Sequence, residues 1–136
     1  MLAYIGEEIT LCGAAGAGQA TKLINNMVLF QNVVALAEAL TLARKSSLDA
    51  RLLLETLAKA SADSFALRNH GMKALLPEEF PEQAFSVEYA LKDLGYALEL
   101  ADQMKVNGAQ NAMAALQRAA AAGNGKKYFP VLVKTL

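Results

Sequence analysis

The residues with the clearest chemical potential lie in one stretch, residues 13–26, where a run of glycines and alanines leads into polar side chains. Asn25 and Asn26 lie three and four residues after Lys22, so a helix would place all three on one face. The free N–H groups and the positive dipole end at the start of such a helix point the same way. This arrangement predicts a site for a small carboxylate or phosphate, with Lys22 as its charged member.

The glycines Gly13, Gly16 and Gly18 do not match the spacing of the common nucleotide-binding loops. A P-loop places Lys-Ser or Lys-Thr directly after its last glycine, whereas Gln19 follows Gly18 here. The dinucleotide fingerprint is Gly-x-Gly-x-x-Gly between a strand and a helix, and the order here is Gly-x-x-Gly-x-Gly. The alternative to a site is structural: the glycines allow a turn and close packing, and Lys22 extends its ammonium to solvent.

Helices are predicted to position these side chains. No glycine or proline occurs between Gly18 and about Ser46, which predicts a helix roughly 40 Å long. Apolar residues cover more than one of its faces, so it is expected to be central. Further helices are predicted over 49–60, 64–73, 87–105 and 110–122, with a short terminal helix from Pro130. Breaks are predicted at 46–49, 76–81, 107–108 and 123–125, and residues 2–12 are expected to form a short strand or an extended lead-in. The fold class is therefore all-α, with about five to six helices around one long central helix.

Length, charge and composition limit the possible functions. A chain of 136 residues indicates one domain, and a formal net charge of zero argues against electrostatic binding to nucleic acid or to an acidic membrane face. The single cysteine, Cys12, cannot form an internal disulfide and no signal peptide is apparent, so a cytoplasmic location is expected. Residues 23–42 have the length of a membrane span, but polar side chains interrupt them, so a core helix is the preferred interpretation.

The other ionisable residues offer weaker candidates. Lys92-Asp93 on the fourth predicted helix is typical, taken alone, of a solvated face. His70 is the only histidine, and it is assigned to the surface or to a local hydrogen bond rather than to catalysis. Because the sequence contains no Cys/His cluster, no metal site is expected.

Three elements of the sequence together resemble the β-hydroxyacid dehydrogenase family. They are Gly-x-x-Gly-x-Gly-x-x-x-Lys-x-x-Asn-Asn at 13–26, Glu-Ala-Leu at 38–40 on the same helix, and Lys-Asp-Leu at 92–94. The family includes 3-hydroxyisobutyrate dehydrogenase and tartronate semialdehyde reductase, and 6-phosphogluconate dehydrogenase is a more distant relative. The resemblance covers essentially the whole chain and matches the C-terminal, all-helical domain of that family.

The resemblance implies a role for each motif residue. Lys22 would be the catalytic lysine, exchanging a proton with the substrate while the nicotinamide of NAD or NADP takes or gives hydride. Asn26 would bind the substrate, with Asn25 as a second contact and Gly18 allowing close approach to the backbone. Lys92 would reach the nicotinamide end of the cofactor. Most of the cofactor would be bound by an N-terminal dinucleotide-binding domain, which is expected to be absent from these 136 residues.

The resulting prediction is a C-terminal substrate-binding and dimerisation domain, residues 1–136, of an NAD(P)-dependent oxidoreductase acting on a small β-hydroxy acid. The isolated chain is expected to be inactive and to form a homodimer or a higher homo-oligomer. No nucleic-acid or membrane partner is expected. The alternative is a non-catalytic helical dimerisation or protein-interaction module, in which the glycines and Lys22 have only structural roles.

Overall fold

The computed structural model describes residues 9–136, and the regular elements in this range are all helices. It contains α1 (Ala17–Lys45), α2 (Ala50–Leu57), α3 (Val87–Ala101), α4 (Asn107–Ala119), two π-helical segments (Leu67–Leu75 and Ala120–Asn124) and a terminal 3₁₀ helix (Phe129–Thr135). Across the described residues there is no strand, and a single antiparallel bridge joins Ser86 to Tyr128. The all-α prediction is confirmed. Of the expected lead-in, residues 9–12 have no regular structure and residues 2–8 lie outside the described part.

Helix α1 is the central element, as predicted. Its 29 residues give a length of about 43 Å. Phe30, Val33, Ala37 and Leu40 recur at helical spacing and are fully buried. The helix contacts α2, α3, α4, the first π-helical segment and the terminal 3₁₀ helix, so nearly every other element packs on it.

By length and composition alone, α1 is also apolar enough to cross a membrane, with a mean hydropathy of 1.4 over its most apolar window. The central helix of a helical domain meets the same criterion. The contacts of α1 with five other elements account for its buried apolar residues, whereas Ile24, Val28 and Leu42 remain exposed.

The end of α1 and the start of α2 show how local sequence sets the boundaries. The N–H of Leu48 donates to the carbonyl of Ala43, and Ser47 adopts a φ of 56°, so the helix ends in a Schellman-type turn. Two residues later the Asp49 carboxylate accepts a hydrogen bond from the N–H of Leu52 at 2.7 Å and caps α2.

Two predicted boundaries are wrong, and each has a physical reason. Helix α3 ends at Ala101 rather than near residue 105, because Asp102 adopts a φ of 52° that cannot continue the helix. The pair Asn107-Gly108 is not a break but the start of α4. A Cβ on Gly108 would lie 2.2 Å from Oε1 of Gln31, so any other residue here would require the Gln31 side chain of α1 to move.

Backbone hydrogen bonds join residues 85–87, at the start of α3, to residues 127–129, at the start of the terminal 3₁₀ helix. The N–H of Val87 donates to the carbonyl of Lys127 and that of Phe129 donates to the carbonyl of Phe85, both at 3.0 Å. These bonds join the residues before α3 to those before the terminal helix. They bring Phe85 and Tyr128 to the same side of α1.

Candidate active site

The first turns of α1 present Lys22 and Asn26 on one face, as the spacing predicts. Leu23, between them, is buried, Asn26 is half-buried, and the Lys22 side chain is 54% exposed. The helix begins after Gly16, whose φ is 90°, and no side chain among residues 9–136 caps its first N–H groups. A Cβ on Gly18 would meet no atom of the described residues within 4 Å, so within that part of the chain the backbone there is open to a ligand.

Helix α3 contributes the opposing charge. The hydroxyl of Ser86 accepts a hydrogen bond from the N–H of Tyr89 and caps the helix. The inward face of α3 consists of residues at helical spacing, which are Val87, Ala90, Leu94 and Ala97. Asp93 lies on this face and is only 5% exposed. A buried carboxylate requires a cation or hydrogen-bond donors, and α1 supplies both.

The three side chains meet at one carboxylate oxygen. Nζ of Lys22 lies 3.2 Å from Oδ2 of Asp93, and Nδ2 of Asn26 donates to the same oxygen at 2.9 Å. These contacts join residues about seventy positions apart in the chain. We refer to them as the Lys22–Asn26–Asp93 cluster. It can hold an ammonium in a fixed position at the start of α1, next to open backbone.

The other predicted site residues lie around this cluster rather than in it. Asn25 is exposed, and its Nδ2 donates to Oδ1 of Asn26 at 3.3 Å. Lys92 is exposed too, with its Nζ 4.8 Å from the centre of the Tyr89 ring. The interpretation of Lys92-Asp93 as a solvated face is therefore correct for Lys92 and wrong for Asp93. The sequence did contain a signal, since Asp93 shares its helical register with Ala90 and Ala97.

A second feature next to the cluster is a pocket of about 290 Å³ that we call the aromatic pocket. Its polar lining residues are Asn26, His70 and Tyr128, and the others are Leu29, Ala84, Phe85 and Phe129. Because Asn26 belongs to both the pocket and the cluster, the two form one continuous surface.

His70 was predicted to lie at the surface or to form a local hydrogen bond. It is buried and hydrogen-bonded, so the surface placement is wrong. Its Nδ1 contacts the hydroxyl of Tyr128, a residue distant in sequence. Burial lowers the pKa of His70, and the neighbouring Lys73 lowers it further. Burial likewise raises the pKa of Tyr128. Both pKa directions favour the uncharged forms of the two groups at neutral pH, so their contact is a hydrogen bond between neutral partners.

A larger cavity, about 530 Å³, lies at the other end of α1, away from the cluster. Glu38, Leu42, Lys45 and Arg118 are among its lining residues. The Glu-Ala-Leu element at 38–40 therefore belongs to a different part of the molecule from Lys22. We place the candidate chemistry at the cluster, because among residues 9–136 a buried charge and oriented donors converge only there.

We compared the sequence of this chain with models of known protein families to identify the family to which it belongs. Residues 16–136 match a family model described as the NAD-binding part of NADP-dependent 3-hydroxyisobutyrate dehydrogenase. The chain belongs to the 3-hydroxyisobutyrate dehydrogenase family. The family resemblance drawn from residues 13–26 and 92–94 is thereby confirmed. Members of this family are oxidoreductases that use NAD or NADP.

Individual relatives agree with this family. The chain is 33% identical, over 98% of its length, to 2-(hydroxymethyl)glutarate dehydrogenase of Eubacterium barkeri, of which it covers 45%. Over 68% of the length of this chain, it is 37% identical to a probable 3-hydroxyisobutyrate dehydrogenase of Mycobacterium tuberculosis. A solved structure of the Mycobacterium tuberculosis 3-hydroxyisobutyrate dehydrogenase with L-serine superposes with a TM-score of 0.85 and 29% identity, covering 96% of this chain and 47% of that one. The chain covers 33% of the Mycobacterium tuberculosis sequence relative, so it spans between a third and about half of the length of these relatives.

Proposed function

We propose that this chain supplies the helical half of the active site of an NAD(P)-dependent dehydrogenase that acts on a small β-hydroxy acid. The observation that carries the proposal is the convergence of Lys22 and Asn26 on the buried carboxylate of Asp93. Ion pairs between two exposed side chains contribute little to stability, whereas the partner of Lys22 is a buried carboxylate that needs a cation or donors. A lysine held against a buried carboxylate at the edge of open backbone is suited to proton transfer.

In this proposal Lys22 is the general acid and base. When the alcohol is oxidised, the substrate O–H bond breaks and its proton passes to the unprotonated amine of Lys22. Bound NAD⁺ or NADP⁺ would accept the hydride from the carbinol carbon, which becomes a carbonyl carbon. Asp93 stabilises the ammonium that Lys22 becomes, and in the reverse direction that ammonium returns the proton to the carbonyl oxygen. Asp93 is thus a positioning residue, and Lys22 is the residue that exchanges the proton.

The remaining predicted residues are assigned to binding. Asn26 is placed to hydrogen-bond the substrate, with Asn25 next to it as a second contact. The uncapped first turn of α1 and the open backbone at Gly18 suit a substrate carboxylate, because free N–H groups and the helix dipole favour an anion there.

For the cofactor, the exposed ammonium of Lys92 lies over the Tyr89 ring, where it could meet the nicotinamide end of NAD(P). We assign the rest of the cofactor to a dinucleotide-binding domain outside these residues. For that reason we expect the 136-residue chain alone not to turn over substrate.

We also propose that the protein is cytoplasmic and forms a homodimer. Ile24 and Val28 lie one turn apart on α1 and remain 48% and 47% exposed, and Phe65 is 64% exposed. Exposed apolar side chains of this kind are typical of subunit contacts. Light scattering at tens of micromolar tests this assignment, and a strictly monomeric mass would contradict it. A purely structural dimerisation module, the second candidate, would use the same surface but would not need Lys22.

The experiment that separates the two candidates is a kinetic comparison of lysine variants in the full-length gene product. Lys22→Ala is expected to lower kcat for 3-hydroxyisobutyrate oxidation by about 10²–10⁴-fold, the usual contribution of a general base. Lys45→Ala removes an exposed lysine from the far end of α1 and should leave kcat unchanged. Melting temperatures measured in parallel control for folding. Unchanged activity in Lys22→Ala would support the structural module instead.

A further inference from the structure

The sequence contains the dipeptide Asn-Gly twice, at 107–108 and at 124–125. Asparagine is a thermolabile residue, and it loses its side-chain amide most readily before glycine, because glycine has no Cβ to obstruct attack by its backbone nitrogen. That nitrogen must reach Cγ of the asparagine, so the bond between Cα and the carbonyl carbon of the asparagine has to rotate. The surrounding fold decides whether this rotation is possible.

The first Asn-Gly pair lies at the exposed start of α4. Asn107 and Gly108 are the first two residues of that helix, and both are exposed. Within the described residues, the N–H groups of residues 105–109 donate no backbone hydrogen bond. The next N–H group, that of Gln110, donates to the carbonyl of Val106 at 3.1 Å. The nitrogen of Gly108 is therefore accessible to water, and unwinding of one helical turn allows Asn107 to rotate.

The second Asn-Gly pair is fixed on both sides. The carbonyl of Asn124 accepts a hydrogen bond from Lys127, and that of Gly125 accepts one from Glu88, both from backbone N–H groups at 3.0 Å. A Cβ on Gly125 would lie 2.7 Å from Oε1 of Glu88, so this side chain covers the glycine. The chain then enters the core at Phe129, which is fully buried. Rotation at Asn124 would break these hydrogen bonds and displace a core segment.

We propose that Asn107 is a site of spontaneous deamidation in the folded protein and that the fold protects Asn124. The backbone nitrogen of Gly108 attacks Cγ of Asn107, the bond from Cγ to the amide nitrogen breaks, and ammonia leaves with the proton that Gly108 loses. Water then opens the resulting five-membered imide at either of its carbonyls. The products are aspartate and β-linked isoaspartate, and neither step changes an oxidation state. This inference does not depend on the proposed function.

The two products differ in their effect on α4. Aspartate adds a negative charge at the first residue of the helix, where the positive end of the dipole stabilises an anion. Isoaspartate carries the main chain through its side-chain carbons and so lengthens the backbone by one atom. The longer backbone lies where the Gln31 side chain of α1 approaches Gly108. We therefore expect isoaspartate, but not aspartate, to destabilise the protein.

Incubation of the full-length gene product at mildly alkaline pH tests the site. Peptide mapping by mass spectrometry measures the conversion of amide to acid at each asparagine, and enzymatic methylation of isoaspartate detects the β-linked product. We expect Asn107 to convert at least about tenfold faster than Asn124 in the folded protein, because local opening is sufficient for its rotation. In concentrated urea the two pairs should convert at similar rates, since neither is then protected by the fold.

Matched variants assign the reaction to one asparagine. Asn107→Gln keeps the amide but would require a six-membered imide, which forms far more slowly, so ammonia release from the folded protein should largely stop. Asn124→Gln makes the same change at the protected pair and should leave ammonia release nearly unchanged. Asn107→Asp supplies the aspartate product directly, and its melting temperature should be at least that of the wild type.

Three results would overturn the inference. The first is equal conversion of Asn107 and Asn124 in the folded protein. The second is that neither asparagine converts in the folded protein over a period in which the urea-unfolded chain converts both. The third is undiminished ammonia release from folded Asn107→Gln. A lower melting temperature of Asn107→Asp would contradict the stated effect of the aspartate product.

Discussion

The ammonium of Lys22 lies 3.2 Å from Oδ2 of Asp93, a carboxylate that is buried in the interface between α1 and α3. The lysine side chain is half exposed while the carboxylate is not. The buried partner therefore fixes the position of the ammonium, and the exposed side of the lysine remains available to a ligand. Packing of the two helices and orientation of the candidate general base thus depend on the same contact.

Replacing this carboxylate should affect turnover more than binding. Asp93→Asn preserves the size of the side chain and an oxygen that can accept from Asn26, but it removes the negative charge that holds Lys22. We expect kcat to fall by about 10- to 100-fold with little change in KM, because the charge stabilises Lys22 after it takes the proton. Steady-state kinetics and the pH profile of kcat check this. Glu99→Gln, an exposed position on the same helix, is the control, and a kcat of Asp93→Asn within twofold of wild type would contradict the role.

The two neighbouring asparagines should differ in their contributions. Asn26 donates to the buried carboxylate and lines the aromatic pocket, whereas Asn25 contacts only Asn26 among the side-chain hydrogen bonds of the described residues. Asn26→Ala should raise KM for the hydroxy acid by about tenfold or more, the usual effect of losing a hydrogen bond to a charged group. Asn25→Ala should change KM by less than about threefold. An effect of Asn25→Ala as large as that of Asn26→Ala would reverse this assignment.

The sequence was sufficient to predict what depends on neighbours in the chain. The uninterrupted run after Gly18 predicted α1, and the spacing of Lys22 and Asn26 placed them on one face. The pairing of Lys22 with Asp93 could not be predicted in the same way, because it depends on how α3 packs on α1. The available signals were the need of Lys22 for an anion and the inward register of Asp93.

The same distinction explains the errors at helix boundaries. A glycine after an asparagine is a common local break, but Gly108 lies in the first turn of α4, where α4 approaches the Gln31 side chain of α1. Only the tertiary contact distinguishes these two uses of glycine. Asp102 ends α3 with a φ of 52° and a ψ of −119°, outside the helical region, and no glycine or proline marks this point in the sequence.

Two other glycines offer a matched test of backbone conformation. A Cβ on Gly95 or on Gly123 would meet no atom of the described part of the chain within 4 Å, but Gly95 lies inside α3 while Gly123 has a φ of 82°. Gly95→Ala should stabilise the protein by about 0.5–1 kcal/mol, because alanine loses less entropy in a helix. Gly123→Ala should destabilise it by about 1 kcal/mol, because the left-handed conformation strains a side chain. Urea unfolding of both variants measures the difference, and equal shifts would show that φ does not decide.

The buried pair of His70 and Tyr128 should make stability depend on pH. Because the pKa of His70 is lowered in the folded protein, the unfolded chain binds its proton first as the pH falls below about 6.5. The folded state then holds fewer protons than the unfolded state, so the free energy of unfolding decreases with falling pH until the lower, folded pKa is reached. Above about 6.5 both states are neutral at this position and the contribution is constant.

Urea midpoints between pH 7.5 and 5.5 measure this effect. His70→Gln removes the titrating group, so the free energy of unfolding should fall less with pH in this variant than in the wild type. The difference between the two slopes should be at most about 1.4 kcal/mol per pH unit, the value for one proton. Tyr128→Phe keeps the histidine and removes its hydrogen-bond partner. It should be less stable at every pH by about 1–2 kcal/mol yet keep a pH-dependent loss below 6.5. A pH dependence that is the same in His70→Gln and in the wild type would show that another group causes it.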